Sequence, residues 1–467
     1  MPQDDSAGIS SDTAAQLRRE GTAAAENGDY EAAEEAFSKA VAADSNDARS
    51  RYNLGLARQN LGDPEGAIIG YLRAIDLDPQ LIEAYINLGN LYGELGLIED
   101  AVDIFRRALA LDPDNDELYI NLGDAYRELG FYDDAVHAYR QAEILNPANT
   151  LATDNLADVR SRQEEQTEHI RDLEKRLDGD PRDLSRYADL AHALLEAQRD
   201  DDAQNVVQQM LDLSPDDALT YETQATVYEA QDRAEEAAAA WERVTQLAPE
   251  NEEAWEHLGT WLDELGRSDD SLVAYRRAVE LRPDSPVARF SLAEALAASD
   301  HFDEAVAQFR SLVEDYSGRI GDEDEDTLSD ALDGLAATLN LAGRYDEALA
   351  ITEECLERFP GEPEALYEKA TALDGLRRHD EAIEAYEAAL EGEPLNSAYL
   401  NDLADTYREV GRYEDAIETA RLAVALDPEM TVSYETLAQA LEQAGRTDEA
   451  QQALAQAARI KAELEAE

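Results

Sequence analysis

Four asparagines recur along the chain at a constant interval of 34 residues, at Asn53, Asn87, Asn121 and Asn155. A carboxamide both donates and accepts hydrogen bonds, so an evenly spaced row of them can pair with successive backbone groups of an extended peptide. The same amides would equally serve to cap or bridge neighbouring helices, or simply persist from duplication of one ancestral unit. The row therefore predicts candidate peptide-binding residues and leaves these structural alternatives open.

Residues typical of catalytic or metal chemistry do not form a pattern. The six histidines lack metal-ligand spacing, and the sequence holds no phosphate-binding Gly-Lys loop, no nucleophile elbow and no pair of cysteines. The acidic run at 322–326 lacks the alternating aspartates and the glycine of a calcium loop, which favours a solvated insertion. Cys355 falls at a small-residue position and is predicted to be an inert core residue. We therefore expect no catalytic, cofactor-binding or metal-binding residue, and no enzyme activity.

Prolines mark the elements that must position the asparagines. They recur at the same interval, and because proline disfavours helix at the residue before it, each one ends a helix at the same place. A fixed period of this length indicates stacked copies of one unit. Ser317 stands where one proline is missing, and an insertion of about nine residues near 320–328 follows it. The prolines of this series are Pro79, Pro113, Pro147, Pro181, Pro215, Pro249, Pro283, Pro360, Pro394 and Pro428.

Each unit reads as helix, turn, helix and stop. At 82–115, small and apolar residues follow helical spacing, Gly96 interrupts them, and a second series runs up to Pro113. Short side chains let two helices approach closely, and aromatic rings fill the groove beside them. The residues of this unit that carry the pattern are Tyr85, Leu88, Gly89, Tyr92, Ala101, Phe105 and Ala108.

The pattern aromatic-x2-Leu-Gly-x2-Tyr, then Ala-x3-Phe, then Pro, resembles the tetratricopeptide repeat. The resemblance implies an all-α, right-handed superhelical solenoid whose first helices line an inner groove, which places the asparagine row on that groove. It also implies a binding partner that is a protein or an extended peptide. Repeat slots begin at residues 14, 48, 82, 116, 150, 184, 218, 252, 286, 329, 363, 397 and 431.

The slot at 150 departs from the pattern. Glu164 stands at its turn position, and His169 and Arg176 occupy the small positions of its second helix. Since no Gly or Pro occurs between 150 and 178, we expect one long helix there. The predicted organisation is a flexible polar N-terminus at 1–13, a repeat array at 14–164, a linker helix or degenerate repeat at 165–183, an array at 184–319, an acidic insertion loop at 320–328 and an array at 329–467.

The chain is strongly acidic, with 106 Asp and Glu against 39 Lys and Arg and a formal net charge of -67. Concentrated salt screens such a surface, which favours a cytoplasmic protein of an extreme halophile. Nucleic acids and anionic lipids require clustered basic residues, so neither is expected as a direct partner. No stretch approaches the ~20 apolar residues that span a bilayer.

These features favour a non-enzymatic scaffold or adaptor that binds a protein or peptide along the concave face of the repeats. The alternative is a structural array that self-associates into a homo-oligomer through its ends or through the linker helix. Heptad spacing in the linker supports the alternative, although two glutamines interrupt a run of about three heptads. The heptad residues are Leu156, Val159, Gln163, Gln166, Ile170, Leu173 and Leu177.

Overall fold

The computed structural model describes residues 5–319 and 322–464, with side chains described at 13–319 and 325–462. Every regular element in these ranges is an α-helix, so the predicted all-α fold of helix–turn–helix units is confirmed. Within the same ranges, no helix combines the length and the apolar character that crossing a bilayer demands.

Each repeat contributes a first helix and a second helix. The first helices are α1 (Asp5–Glu26), α3 (Ala48–Leu61), α5 (Ile82–Glu94), α7 (Asp116–Glu128), α10 (Leu184–Glu196), α12 (Ala218–Glu229), α14 (Glu252–Glu264), α16 (Pro286–Ala298), α18 (Asp322–Leu341), α20 (Pro363–Gly375), α22 (Ser397–Glu409) and α24 (Thr431–Gln443). The second helices are α2 (Tyr30–Ala43), α4 (Pro64–Leu77), α6 (Ile98–Leu111), α8 (Tyr132–Leu145), α11 (Asp200–Leu213), α13 (Ala234–Leu247), α15 (Ser268–Leu281), α17 (Phe302–Tyr316), α19 (Tyr345–Arg358), α21 (His379–Gly392), α23 (Tyr413–Leu426) and α25 (Thr447–Leu464).

The turn inside each repeat places one residue in the left-handed backbone region. Glycine occupies this position in eight repeats, for example Gly62 with φ of 80°. Four repeats hold the same conformation without glycine, at Gln198, Asp232, Asp300 and Arg377. Since a side chain at positive φ carries a steric cost, the packing of the two helices must impose the turn there. At these four turns the packing of the repeat therefore outweighs the preference of non-glycine residues for negative φ.

Glycines of the first helices lie under aromatic rings of the second helices. A Cβ added at Gly123 would stand 2.6 Å from the Tyr139 ring, and one added at Gly89 would stand 2.5 Å from the Phe105 ring. In both pairs the ring is 16 residues after the glycine, and it is buried. The missing side chain is thus what lets the ring close the gap between the two helices.

We expect Gly123→Ala to lower the unfolding midpoint, because the new methyl group overpacks the Tyr139 contact at a cost of about 1–3 kcal/mol. Gly93→Ala is the matched control: it changes a helical glycine with no atom within 4 Å of the added Cβ. That control should leave stability unchanged or raise it by about 0.5–1 kcal/mol. Denaturant unfolding of both variants in concentrated KCl measures the difference, and equal shifts would contradict this account of the packing.

The segment that departs from the repeat pattern forms α9 (Thr150–Gly179), a single helix of 30 residues. Glu164 lies inside it, where the other repeats turn. Leu156 and Val159 are buried in the core that also contains Tyr139. Ile170 and Leu173 are buried in a separate core further along the chain. These four apolar residues of α9 are therefore already covered by repeats of the same chain.

Two predicted irregular segments are corrected by the structure. The predicted flexible N-terminus at 1–13 is helical from Asp5, and residues 1–4 lie outside the described residues. The predicted loop at 320–328 is helical from Asp322, while 320, 321 and the side chains of 320–324 lie outside the described residues. Acidic residues are stabilised at the start of a helix by its positive end. Leu328 is only 1% exposed, so the row of buried residues on one face of α18 extends into the inserted residues.

The chain divides into two compact units. Unit 1 consists of Met1–Gln163 and Glu393–Glu467, and unit 2 consists of Glu164–Gly392. In unit 1, α4 packs against α23, a helix from the other end of the sequence. Leu395 and Leu426 also lie against the core that contains Tyr71 and Leu88. Unit 2 has several cores along its successive repeats, and Tyr187 and Met210 are buried in the first of them.

Candidate functional site

Three of the four predicted asparagines join neighbouring first helices in unit 1. The Asn87 side-chain amide donates to the Tyr52 hydroxyl at 3.0 Å, which links α5 to α3. The Asn121 amide donates to Asn90 Oδ1 at 2.8 Å and links α7 to α5. Each bond runs from one repeat to the repeat before it. The amide row therefore fixes the spacing of adjacent first helices.

The last bond of the row ends on a shared carboxylate. The Asn155 amide donates to Asp124 Oδ1 at 3.0 Å, joining α9 to α7. The Tyr139 hydroxyl donates to the same oxygen at 2.7 Å, and Arg127 approaches it at 3.4 Å. Burial and the neighbouring Asp124 charge raise the pKa of Tyr139, so the phenol stays protonated and keeps donating.

Two of the three partners of the row, unlike Tyr52, occupy the same position of their helices. Asn90 and Asp124 each stand three residues after the row position of their own helix, which brings them onto the same face one turn later. Sequence reasoning selected the asparagines and missed these partners. The signal that was available is the presence of a polar residue at both +3 positions, Asn90 and Asp124.

Asn53 differs from the other three asparagines. It is half-buried on α3, and among the described residues it makes no hydrogen bond through its side chain. The residue equivalent to Asn90 in the preceding repeat is Thr22, whose hydroxyl donates to the Arg18 carbonyl oxygen at 2.9 Å. With that partner occupied locally, the Asn53 amide keeps its full capacity to donate and to accept.

Two cavities stand at equivalent places two repeats apart, and each contains a row asparagine. One, of about 400 Å³, lies between α5, α6 and α7 and is lined by Asn121 and Phe105. The other, of about 380 Å³, lies between α1, α2 and α3 and is lined by Asn53 and Phe37. In both, an aromatic ring of a second helix lies beside a carboxamide of the next first helix. The same small pocket thus recurs along unit 1.

The rims of these cavities are polar and mainly acidic. Glu94, Asp124, Glu128 and Arg127 line the cavity that contains Asn121. Glu26 lines the cavity that contains Asn53, and that lining includes no basic residue. Beyond its one donated bond, the Asn121 amide has no hydrogen bond through its oxygen within the described part of the chain. Each site can therefore accept a donor, such as a backbone N–H, and disfavours an acidic group.

Models of the tetratricopeptide repeat family match the chain along most of its length. One matches residues 18–82, 222–286, 258–320, 342–391 and 367–431, which together exceed half of the chain. Three further models of the same repeat match 82–115, 116–149 and 432–464. Among curated proteins, no relative was found by sequence.

Similarity to solved structures was also found. Yeast Tom70 is 17% identical, with coverage of 90% of this chain and 96% of that chain and a TM-score of 0.43. The Cut9–Hcn1 hetero-tetramer of the APC/C is 15% identical, with coverage of 91% and 96% and a TM-score of 0.38. A tetratricopeptide repeat protein from Parabacteroides merdae is 21% identical over 54% of this chain and 99% of that chain, with a TM-score of 0.32. On the strength of the family matches and the repeated helix pairs, this chain belongs to the tetratricopeptide repeat family.

Proposed function

We propose that this protein is a non-enzymatic scaffold that binds an extended segment of a partner protein along the first helices α1, α3, α5 and α7. The recurrence of the same cavity at Asn53 and at Asn121 carries the proposal. A partner strand has a repeating backbone, so a site that repeats along the array can bind it at more than one point. Assembly of larger complexes then follows from holding such a partner on one face of unit 1.

The chemistry of the cavities limits the partner segment. The acidic rims favour a neutral or basic segment, because a carboxylate entering beside Glu94 or Glu26 would meet like charge. Leu56 in one cavity and Ile98 in the other are partly exposed and offer apolar surface to a side chain, while the amides beside them bind backbone groups. We therefore expect a segment that places apolar or basic side chains in the cavities.

Asn53→Ala separates binding from stability. Because Asn53 makes no side-chain hydrogen bond to described residues, its loss should leave the unfolding midpoint unchanged. Partner affinity should fall, since one lost hydrogen bond is worth about 0.5–1.5 kcal/mol. Asn121→Ala should weaken binding and also lower stability, because it removes the bond to Asn90. Asn205→Ala, at an exposed position of α11, is the control for the residue type.

The measurement starts from a partner captured from native lysate at high salt and mapped to its bound segment. Fluorescence anisotropy with that segment as a synthetic peptide then compares the three variants with the parent chain. Equal affinity for parent and Asn53→Ala, together with loss of stability in Asn121→Ala, would show that the amides serve only to bridge helices.

Self-association is the competing role, and the structure gives it less support in α9. Four of the five apolar residues of the heptad series, Leu156, Val159, Ile170 and Leu173, are buried in cores of the chain itself, and the fifth, Leu177, packs partly buried against the second core. They do not provide a free apolar seam for a second copy. Sedimentation of the pure protein at high salt distinguishes the two roles, because a scaffold of this kind needs no second copy.

A further inference from the structure

Unit 1 contains a second kind of cavity, away from the asparagine row. Its volume is about 460 Å³, within the range of small-molecule sites. Its walls come from α2, α3 and α4 near the start of the sequence, and from α23 and the turn before α25 near the end. The residues that line it include four arginines, Arg51, Arg73, Arg421 and Arg446, and four carboxylates, Asp76, Glu414, Asp415 and Glu418.

An equal number of arginines and carboxylates is unusual for this chain. Acidic residues outnumber basic ones by 67 overall, yet the lining holds as many arginines as carboxylates. Two of the arginines have carboxylates nearby, because Arg421 and Arg446 share Glu449 at 2.7 Å and Arg446 also pairs with Glu414 at 3.4 Å. Arg51 pairs with Glu418 at 2.7 Å through one terminal nitrogen. These three arginines therefore have carboxylates within ion-pair distance. Arg73, the fourth, lacks a carboxylate at hydrogen-bond distance.

Arg73 is buried without a hydrogen-bonding partner. The residue is only 4% exposed, and its nearest carboxylate, Asp76, is 3.9 Å away, beyond hydrogen-bond distance. No other ion pair or hydrogen bond of its guanidinium occurs within the described part of the chain. The adjacent Arg51 Nε is likewise buried and has no partner. Several N–H donors thus meet at this cavity without acceptors.

Such an arrangement is costly unless something accepts from those donors. Burying a charged group without compensation destabilises a protein, whereas a bound oxyanion would accept two parallel hydrogen bonds from a guanidinium. Burial lowers the pKa of Arg73 to about 10, and the neighbouring Arg51 and Arg421 charges add to this effect. At neutral pH the group nevertheless remains a cation.

We propose that this cavity binds a small molecule through a carboxylate or phosphate group, with Arg73 and Arg51 as the ligating side chains. The volume exceeds what one oxyanion fills, so the remainder of the molecule has room between α4 and α23. Because Arg73 belongs to α4 and the Arg51–Glu418 pair reaches α23, a bound anion would hold these two helices together. This site is independent of the asparagine row.

The test titrates inorganic phosphate and acetate, in separate calorimetric experiments, into the full-length protein in constant concentrated KCl. We expect at least one of these oxyanions to bind, and the stronger one identifies the phosphate or the carboxylate as the recognised group. Binding should slow hydrogen exchange in both α4 and α23. Absence of binding by both anions would overturn the proposal, since a cavity that holds only water gives no anion-dependent heat.

Arg73→Met tests the assigned residue. It should weaken anion binding by about tenfold or more, because it removes charge-assisted hydrogen bonds. The variant should remain folded, since an apolar side chain of similar length suits a buried position. Arg73→Lys keeps the charge without the planar fork and should restore only part of the affinity. Arg276→Met, an exposed change in unit 2, is the control; anion binding that Arg73→Met leaves intact would overturn the assignment.

Discussion

The thermal midpoint of unfolding should rise steeply as KCl increases from about 0.1 M to about 2 M, with a parallel gain in helical signal. Even if every basic residue were paired, a surplus of 67 carboxylates would remain. Their mutual repulsion acts on the folded chain more strongly than on the expanded unfolded chain. Screening should therefore stabilise the folded state, as in a protein adapted to high salt.

The ion pairs of the structure do not remove this repulsion. Arginines at the start of second helices pair with an acid three residues later, as in Arg199–Asp202 at 2.7 Å and Arg267–Asp270 at 2.6 Å. Such exposed pairs contribute about 0–1 kcal/mol each and weaken in salt. If they dominated, salt would destabilise the protein. Thermal unfolding followed by circular dichroism in KCl and in NaCl shows whether salt raises or lowers the midpoint. A midpoint that stays constant or falls would contradict the screening account.

Stability should also depend on pH through Asp333. This carboxyl lies on α18 beside the buried Cys355, whose sulfur is 3.6 Å from Oδ1. Burial raises the pKa of Asp333 to about 7, and the charges of Glu362, Glu364 and Glu368 add to this rise. The folded state therefore binds the Asp333 proton more tightly than the unfolded state does. Its contribution is fully present below the ordinary aspartate pKa and is lost as pH rises through about 7.

Asp333→Asn isolates this contribution, because an amide resembles the protonated acid at every pH. We expect the advantage of the variant in free energy of unfolding over the parent chain to grow by a few kcal/mol between pH 5 and pH 8. General relief of repulsion at low pH affects both proteins equally, and Asp346→Asn, at an exposed position of α19, controls for the loss of one charge. Chemical unfolding of the parent chain and of both variants at pH 5 and at pH 8 gives the free energies of unfolding to be compared. An equal gain in the two variants would contradict a special role for Asp333.

Much of the fold could be predicted from sequence because its contacts are local and periodic. The interval of 16 residues between Gly123 and Tyr139 is readable in the sequence, and so is the turn at Gly62. The left-handed turns at Gln198 and Arg377 are not readable from residue type, since the packing of the helices imposes them. The helical start of α18 was missed for a related reason: an acidic run read as loop becomes a helix once Leu328 is buried.

The candidate sites were predicted less completely. The asparagine row could be found by its period. Its partner Asn90 could not, because the bond from Asn121 forms only when α5 and α7 pack with these two residues facing each other. The arginine cavity has no sequence signal, because Arg73 and Glu418 belong to repeats far apart in the chain. The division into arrays at 14–164, 184–319 and 329–467 stays a prediction. The structure groups Glu393–Glu467 with Met1–Gln163, so a fragment of residues 1–164 would lose the contact with α23.

The packing of α4 against α23 gives the folding of this chain a long-range step. Most contacts join neighbouring repeats and can form in sequence, as in other low-contact-order proteins that fold quickly. The Arg51–Glu418 pair joins residues 367 apart. The entropic cost of closing a loop grows only logarithmically with its length, by about 0.6 kcal/mol per doubling. The contact between α4 and α23 can therefore form once the repeats on both sides are ordered. Unit 1 is therefore completed last, after the chain that forms unit 2 has been synthesised.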